Sequence, residues 1–143
     1  MFEEVKMRSI SLLIAGTILA SCTTAPPPPG PPPRTASGQR AFNSLLTGKV
    51  PGTPVNCLQH YNINDMAIFD GQTIGFNSGP RTVYVVHLSP GCEMIDAGPY
   101  ALVNRQYGGT GLCRGDIQTV ADTLNRSNVG SCTVAEIVPY TKP

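Results

Sequence analysis

Four cysteines in the C-terminal 90 or so residues give this chain its clearest capacity for chemistry. They are Cys57, Cys92, Cys113 and Cys132. In a small exported domain, an even number of cysteines is typical of a disulfide framework, so four cysteines predict two bonds. Three pairings are possible, and the sequence leaves all three open. We favour Cys57–Cys132, which would join the first strand to the last, with Cys92–Cys113 around the middle hairpin.

A metal site is the competing use of these residues. Cys57 and His60 have the spacing of two metal ligands. No second close pair of ligands accompanies them, and cysteines oxidised to disulfides supply neither thiolate ligands nor a thiol nucleophile. We therefore expect no metal and no cofactor.

Arg114 and Asp116 are the weak candidates for a binding pair, because they directly follow Cys113. With Gly115 they spell an adhesion tripeptide. The interpretation we favour is structural: Gly115 supplies a positive φ, and Asp116 accepts bonds from turn amides. An enzyme would need the fold to bring Asp116 and His87 together, since no nucleophile-elbow motif is present. We assign no catalytic residue.

Composition favours a turn-rich β domain. Charged residues make up 13% of the chain, with 15 glycines and 14 prolines among 143 residues. The formal net charge is +1, and after Cys22 the basic and acidic residues are spread without runs. The sequence therefore gives no indication of a nucleic-acid partner.

The N-terminal segment resembles the signal peptide of a bacterial lipoprotein. Residues 9–20 are uncharged and largely apolar, too short to cross a bilayer core of ~30 Å, and follow Lys6 and Arg8. The run ends in Leu19-Ala20-Ser21-Cys22, which resembles a lipobox. The resemblance implies that residues 1–21 are removed and that Cys22 becomes a lipidated N-terminus.

A lipidated Cys22 implies a location as well as an anchor. Two or three acyl chains hold a protein on a membrane stably, whereas one does so only marginally. Residue 23 is threonine rather than aspartate, which in the enterobacterial sorting pattern favours the outer membrane, facing the periplasm. We therefore expect a membrane partner through the lipid, and possible partners among envelope proteins or cell-wall components.

A proline-rich tether follows the cysteine within residues 22–52. Prolines fix φ and supply no backbone donor, so Pro26–Pro33 is predicted to form polyproline II reaching about 25 Å. Ser37–Leu46 fits a short helix that ends at Gly48, either packed on the domain or loose. Residues 53–143 form the predicted domain.

The domain is predicted to consist of short strands separated by turns. Asp70-Gly71 is a strong hairpin turn, and Thr82–Leu88 is the clearest strand. Residues 117–124 fit either a helix capped by Asp116 or a strand followed by a loop. The predicted strands are Cys57–Ile63, Met66–Phe69, Thr73–Phe76, Thr82–Leu88, Tyr100–Tyr107 and Ser131–Tyr140.

Residues 54–140 resemble a family of small exported bacterial proteins known only as a domain of unknown function. The resemblance implies a strand after Gly115-Asp116, and this decides the ambiguity in favour of the strand. It implies no activity, ligand or functional residue. The segments that carry it are Cys57-Leu58, Asp70-Gly71-Gln72-Thr73-Ile74, Tyr84–Leu88 leading to Cys92, Leu112-Cys113-Arg114-Gly115-Asp116, Gly130-Ser131-Cys132 and Val138-Pro139-Tyr140.

Together these features predict an all-β domain with a small antiparallel sheet or barrel of about six to seven strands, stapled by two disulfides. Low charge and the missing nucleophile favour a membrane-anchored envelope lipoprotein that acts as a non-enzymatic binding or structural module. The alternatives are a periplasmic enzyme that uses His87 and Asp116, and a barrel that binds a small ligand in a deep apolar cavity.

Overall fold

The computed structural model describes residues 33–59, 65–104 and 111–143, and strands dominate these ranges. The described elements are one α-helix, nine strands and a 3-10 helix at Glu93–Asp96. The α-helix and the nine strands are, in chain order, α1 Ala36–Leu46, β1 Val50–Pro51, β2 Cys57–Leu58, β3 Met66–Asp70, β4 Thr73–Ser78, β5 Thr82–Leu88, β6 Tyr100–Asn104, β7 Leu112–Cys113, β8 Ile117–Asp122 and β9 Asn128–Thr141.

The main sheet is antiparallel throughout, in the order β3-β4-β5-β9-β8-β6, and β1 pairs with the end of β9. Strand β9 is 14 residues long and pairs with two neighbouring strands of the main sheet. Its C-terminal half pairs with β5, and its N-terminal half pairs with β8. The register shifts at Ala135, between the pairs His87–Glu136 and Leu88–Val134. Such a bulge bends a strand, and the sheet curls into a half-barrel.

The hydrophobic core lies on the concave face of this sheet. Alternation along the strands places Val86 and Leu88 of β5 there, with Val134 and Ile137 of β9. Strands β2 and β7 form a separate two-stranded ribbon. Leu58 and Leu112 of the ribbon are 3% and 2% exposed and belong to the same core cluster. The ribbon therefore covers part of the concave face.

Helix α1 packs on the opposite, convex face. Thr35 caps the helix, because its Oγ1 accepts a hydrogen bond from the Gly38 amide at 3.1 Å. Phe42 of the helix meets Phe69 of β3 edge to face, with ring centroids 5.2 Å apart. The predicted short helix is confirmed, and of its two predicted arrangements it adopts the packed one.

The predicted fold class is confirmed, as are the strands over Met66–Phe69, Thr73–Phe76 and Thr82–Leu88. The ambiguous segment forms strand β8, with a turn at residues 123–125, so the favoured prediction of a strand followed by a loop is confirmed. Gln118 and Val120 are both buried and on the same side of β8, and β6 and β9 pair with its two edges. A helix there would leave the backbone groups of both neighbouring strands unpaired.

The two predicted disulfides are present, but the favoured pairing was wrong. The bonds are Cys57–Cys113 and Cys92–Cys132. Strand β2 pairs with β7 rather than with the last strand, which places Cys57 directly opposite Cys113. The backbone at Gly91 passes so close to the Ser131 carbonyl that it brings Cys92 against β9 and Cys132.

Several predictions concern residues outside the described ranges. They are the signal peptide, Cys22, the tether up to residue 32, His60, residues 60–63 of the first predicted strand, and residues 105–107 of the Tyr100–Tyr107 strand. Within residues 33–59, 65–104 and 111–143, no helix is long and apolar enough to cross a membrane.

Candidate functional site

A row of polar residues crosses four neighbouring strands on the convex face of the sheet. Asp70 of β3 is opposite Thr73 of β4, Thr73 is opposite His87 of β5, and His87 is opposite Glu136 of β9. Directly opposed residues of antiparallel strands share a face, and adjacent strands lie about 4.8 Å apart. We call Asp70, Thr73, His87 and Glu136 the polar row.

The hairpin turn between β3 and β4 fixes the buried end of the polar row. Asp70 is only 1% exposed, and its Oδ1 accepts a hydrogen bond from the Gln72 amide at 2.7 Å. Aspartate commonly bonds the backbone two residues ahead in this way, which closes the turn. Thr73, also 1% exposed, begins β4 beside it. The second carboxylate oxygen of Asp70 remains available for a cation.

Arg34 supplies that cation from the segment just before helix α1. Its Nε donates to Asp70 Oδ2 at 2.6 Å, and its Nη2 donates to Thr73 Oγ1 at 3.2 Å. The guanidinium carbon is 3.9 Å from the centre of the Phe42 ring, within the range of a cation–π contact. A buried carboxylate requires a partner of opposite charge, and Arg34 satisfies Asp70.

His87 is the titratable group of the polar row. Burial lowers the pKa of His87 below its ordinary value of 6.5, because the charged imidazolium loses water. Glu136 opposes this by raising the pKa, Arg34 lowers it further, and Asp70 raises it. Burial outweighs the carboxylates, so the ring is largely uncharged at neutral pH.

The hydrogen bonds of the polar row suit it to holding Arg34 against the sheet rather than to catalysis. Both carboxylate oxygens of Asp70 accept hydrogen bonds, and the Thr73 hydroxyl accepts one from Arg34. No activated nucleophile is thus present within it. Two surface grooves of about 490 and 420 Å³ flank helix α1 and share Phe69 and Ala41, but no member of the polar row lines either groove.

Arg114 and Asp116 are tied into the backbone around β7. Asp116 Oδ2 accepts a hydrogen bond from the Cys113 amide at 2.7 Å, and Arg114 Nε donates to the Ala135 carbonyl at 3.1 Å. Gly115 has φ +87°. The positive φ and the turn-amide bond confirm the structural interpretation of this triplet. The Arg114 side chain joins the ribbon to β9, and so do the backbone groups of Gly115 and Asp116, which bond those of Val134.

The structure does not bring His87 and Asp116 together. The Asp116 carbonyl accepts a hydrogen bond from the Val134 amide, so Asp116 flanks β9 on the side away from β5. Strand β9 therefore separates the two residues. The charged groups that affect the pKa of His87 are Glu136, Arg34 and Asp70, and Asp116 is not among them.

A small cavity of about 20 Å³ lies on the concave face. It is lined by Met66, Ile74, Phe76, Leu102, Asn104, Leu112 and Gln118. A space of this size holds about one water molecule. The buried Gln118 amide donates to Asn104 Oδ1 at 3.1 Å at this position. This cavity thus offers little room for a ligand.

Metal chemistry finds no support at the cysteines. The sulfur of Cys57 is bonded to Cys113, so it is not available as a thiolate partner for His60. In the part of the chain that the structure describes, no group of three or more His, Cys, Asp and Glu side chains is placed to hold a metal ion.

Sequence reasoning missed Arg34, Asp70 and Thr73. Asp70 was assigned only to a turn, and nothing in its neighbours along the chain reveals that it is buried. Arg34 is the single charged residue between the proline tract and the predicted helix, which is the one signal available. No protein-family model, curated protein or solved structure significantly matches this chain.

Proposed function

We propose that this chain is a membrane-anchored bacterial envelope lipoprotein whose domain is a non-enzymatic binding or structural module. The lipobox-like Leu19-Ala20-Ser21-Cys22 and the proline tract up to Pro33 support the anchor and the tether. The resemblance to exported domains of unknown function supports the same assignment. The proposed location is the outer membrane, facing the periplasm.

The observation that carries the structural part of this proposal is the contact between Arg34 and Asp70. Arg34 immediately follows Pro33, and it is fastened to a buried carboxylate that lies 36 residues further along the chain. The end of the proline-rich segment is thereby attached to the sheet at a defined point. A tether joined in this way transmits orientation as well as position to the domain.

The other two functions have weaker support. An enzyme that uses His87 and Asp116 would need them in contact, whereas they flank opposite sides of β9 and the Asp116 carboxylate is bonded to the Cys113 amide. A ligand-binding barrel would need more space than the cavity of about 20 Å³. The remaining candidate partners are an envelope protein or a cell-wall component.

The anchor is tested by replacing Cys22. Cells expressing the full chain are labelled with an alkyne-bearing fatty acid and fractionated, and the variants are Cys22→Ala and the control Ser21→Ala. We expect the Cys22→Ala chain to lose the label and the lipid-dependent membrane attachment. The Ser21→Ala chain keeps a small residue before the cysteine and should retain both. A Cys22→Ala chain that still carries the label would show that the lipid is attached elsewhere.

A partner is tested in the same cells by chemical crosslinking of the anchored chain. A binding module in the envelope should give a reproducible crosslinked species or cell-wall adduct that requires the folded domain. A catalytic activity of the purified chain that is lost in both His87→Ala and Asp116→Ala would instead favour the enzyme.

A further inference from the structure

The two disulfides differ in how far they are exposed. Cys92 is 0% and Cys132 is 4% exposed, whereas Cys57 and Cys113 are only half-buried. Thiol–disulfide exchange requires a thiolate to reach a sulfur atom, so exposure strongly affects the rate of reduction. A dissolved dithiol therefore has better access to Cys57–Cys113 than to Cys92–Cys132.

Cys57–Cys113 also joins a different kind of element. It links the two strands of the β2–β7 ribbon, each of which is two residues long. The Arg114 amide donates to the Asn56 carbonyl at 2.8 Å next to the bond. Two-residue strands contribute little pairing of their own, and an isolated two-stranded ribbon is at best marginally stable.

The ribbon covers apolar residues of the half-barrel. Leu112 lines the small cavity with Met66, Ile74 and Phe76 from one end of the sheet and Leu102 from the other. Movement of the ribbon away from the sheet would expose this part of the concave face. The pairing of β5 with β9 involves other residues and would remain.

We infer that Cys57–Cys113 is a reducible clasp that holds the ribbon closed over the concave face, while Cys92–Cys132 is the permanent bond of the sheet. A thiolate of a dithiol reductant attacks one sulfur, the bond between Cys57 and Cys113 breaks, and a mixed disulfide forms. The second thiol of the reductant then displaces the remaining cysteine. Two electrons and two protons pass to Cys57 and Cys113, and the reductant leaves as a disulfide.

Release of the ribbon follows from chain entropy. The bond joins residues 56 positions apart and so limits the conformational entropy of the chain between them. When the bond is reduced, the open state regains this entropy and becomes more favourable. Local opening occurs first where few buried contacts and short pairings hold an element. The ribbon fits this description, since its buried side chains are those of Leu58 and Leu112, and its hydrogen bonds to β9 lie beside Cys113, at Arg114 and Gly115.

The order of reduction tests the first half of the inference. The full chain in mild detergent is treated with increasing dithiothreitol, alkylated, and digested with trypsin. Cleavage after lysine and arginine places the cysteines in separate peptides, residues 50–81, 82–105, 106–114 and 127–143. We expect Cys57 and Cys113 to become alkylated at about tenfold less reductant than Cys92 and Cys132. Joint reduction of all four, or prior reduction of Cys92, would overturn the inference.

Hydrogen exchange tests the second half. The double variant Cys57→Ala/Cys113→Ala should lose about tenfold or more amide protection at residues 55–59 and 111–116, with β5 and β9 nearly unchanged. The matched variant Cys92→Ala/Cys132→Ala should lose protection in β9. A ribbon that stays protected in the first variant, or equal losses in the two variants, would refute the clasp. If the first variant does not fold, selectively reduced wild-type chain gives the same readout.

Discussion

The contact between Arg34 and Asp70 allows a quantitative test of how the tether joins the domain. The variants are Arg34→Gln, Asp70→Asn and the two together. Asp70→Asn keeps an oxygen that can accept the Gln72 amide bond, so it isolates the loss of the contact with Arg34. Arg34→Gln instead leaves the Asp70 carboxylate buried without its cation.

The burial of the two partners sets the expected magnitude. Their side chains are 22% exposed for Arg34 and 2% exposed for Asp70. Exposed pairs contribute about 0–1 kcal/mol, whereas breaking a buried pair costs about 3–5 kcal/mol. With one partner buried and the other partly exposed, we expect a coupling energy of about 2 kcal/mol. Arg34→Gln should cost more than Asp70→Asn, because it leaves a charge buried and unpaired.

Urea unfolding followed by circular dichroism measures these free energies, since the chain has no tryptophan. At a slope of about 1.5 kcal/mol per molar urea, a loss of 2 kcal/mol lowers the midpoint by about 1.3 M. Arg81→Gln is the control, because Arg81 is exposed and donates to the exposed carbonyls of Lys142 and Pro143 rather than to a buried carboxylate. A coupling energy below about 0.5 kcal/mol, as for a surface pair, would refute the proposed attachment.

Two further predictions concern His87 and Gly91. Because burial lowers the pKa of His87, the unfolded chain binds a proton first, and the free energy of unfolding should fall as the pH drops through 6.5. NMR titration of His87 should show its pKa falling further in Glu136→Gln, and a rise would contradict this. Gly91→Ala should cost about 2–3 kcal/mol in urea unfolding, since φ is +119° and the new methyl would overlap the Ser131 carbonyl. Gly79→Ala, at φ +83° but in open space, should cost only about 1 kcal/mol, and equal losses would exclude the close approach as the cause.

Local patterns in the sequence predict the strands well. Asp70-Gly71 closes the β3–β4 hairpin, and the β-branched run at Thr82–Leu88 forms β5 along its whole length. These features depend on neighbours along the chain. The 14-residue length of β9 was not predicted, because its first residues, Asn128–Gly130, follow a turn and carry little strand signal.

The disulfide pairing and the contact between Arg34 and Asp70 depend on long-range strand pairing and packing, which local sequence does not reveal. Nothing near Cys57 indicates that its strand pairs with residues 112–113 rather than with β9, so the pairing of the disulfides was open. The same holds for Arg34 and Asp70, which are separated by 36 residues and are brought together by the packing of α1 on β3. Burial of Asp70 depends on that packing, and a turn residue of the same local sequence could equally be exposed.

The contact between Arg34 and Asp70 and the β2–β7 ribbon lie on opposite faces of the curled sheet. Arg34 meets Asp70 on the convex face, where α1 packs, while Leu58 and Leu112 of the ribbon enter the core on the concave face. Side chains on opposite faces of a sheet do not touch, so the ribbon can move without breaking the contact that holds the tether. Distant sites without shared partners contribute nearly additively to stability. A clasp opened by a dithiol would thus expose the concave face while the domain stays joined to its tether at Arg34.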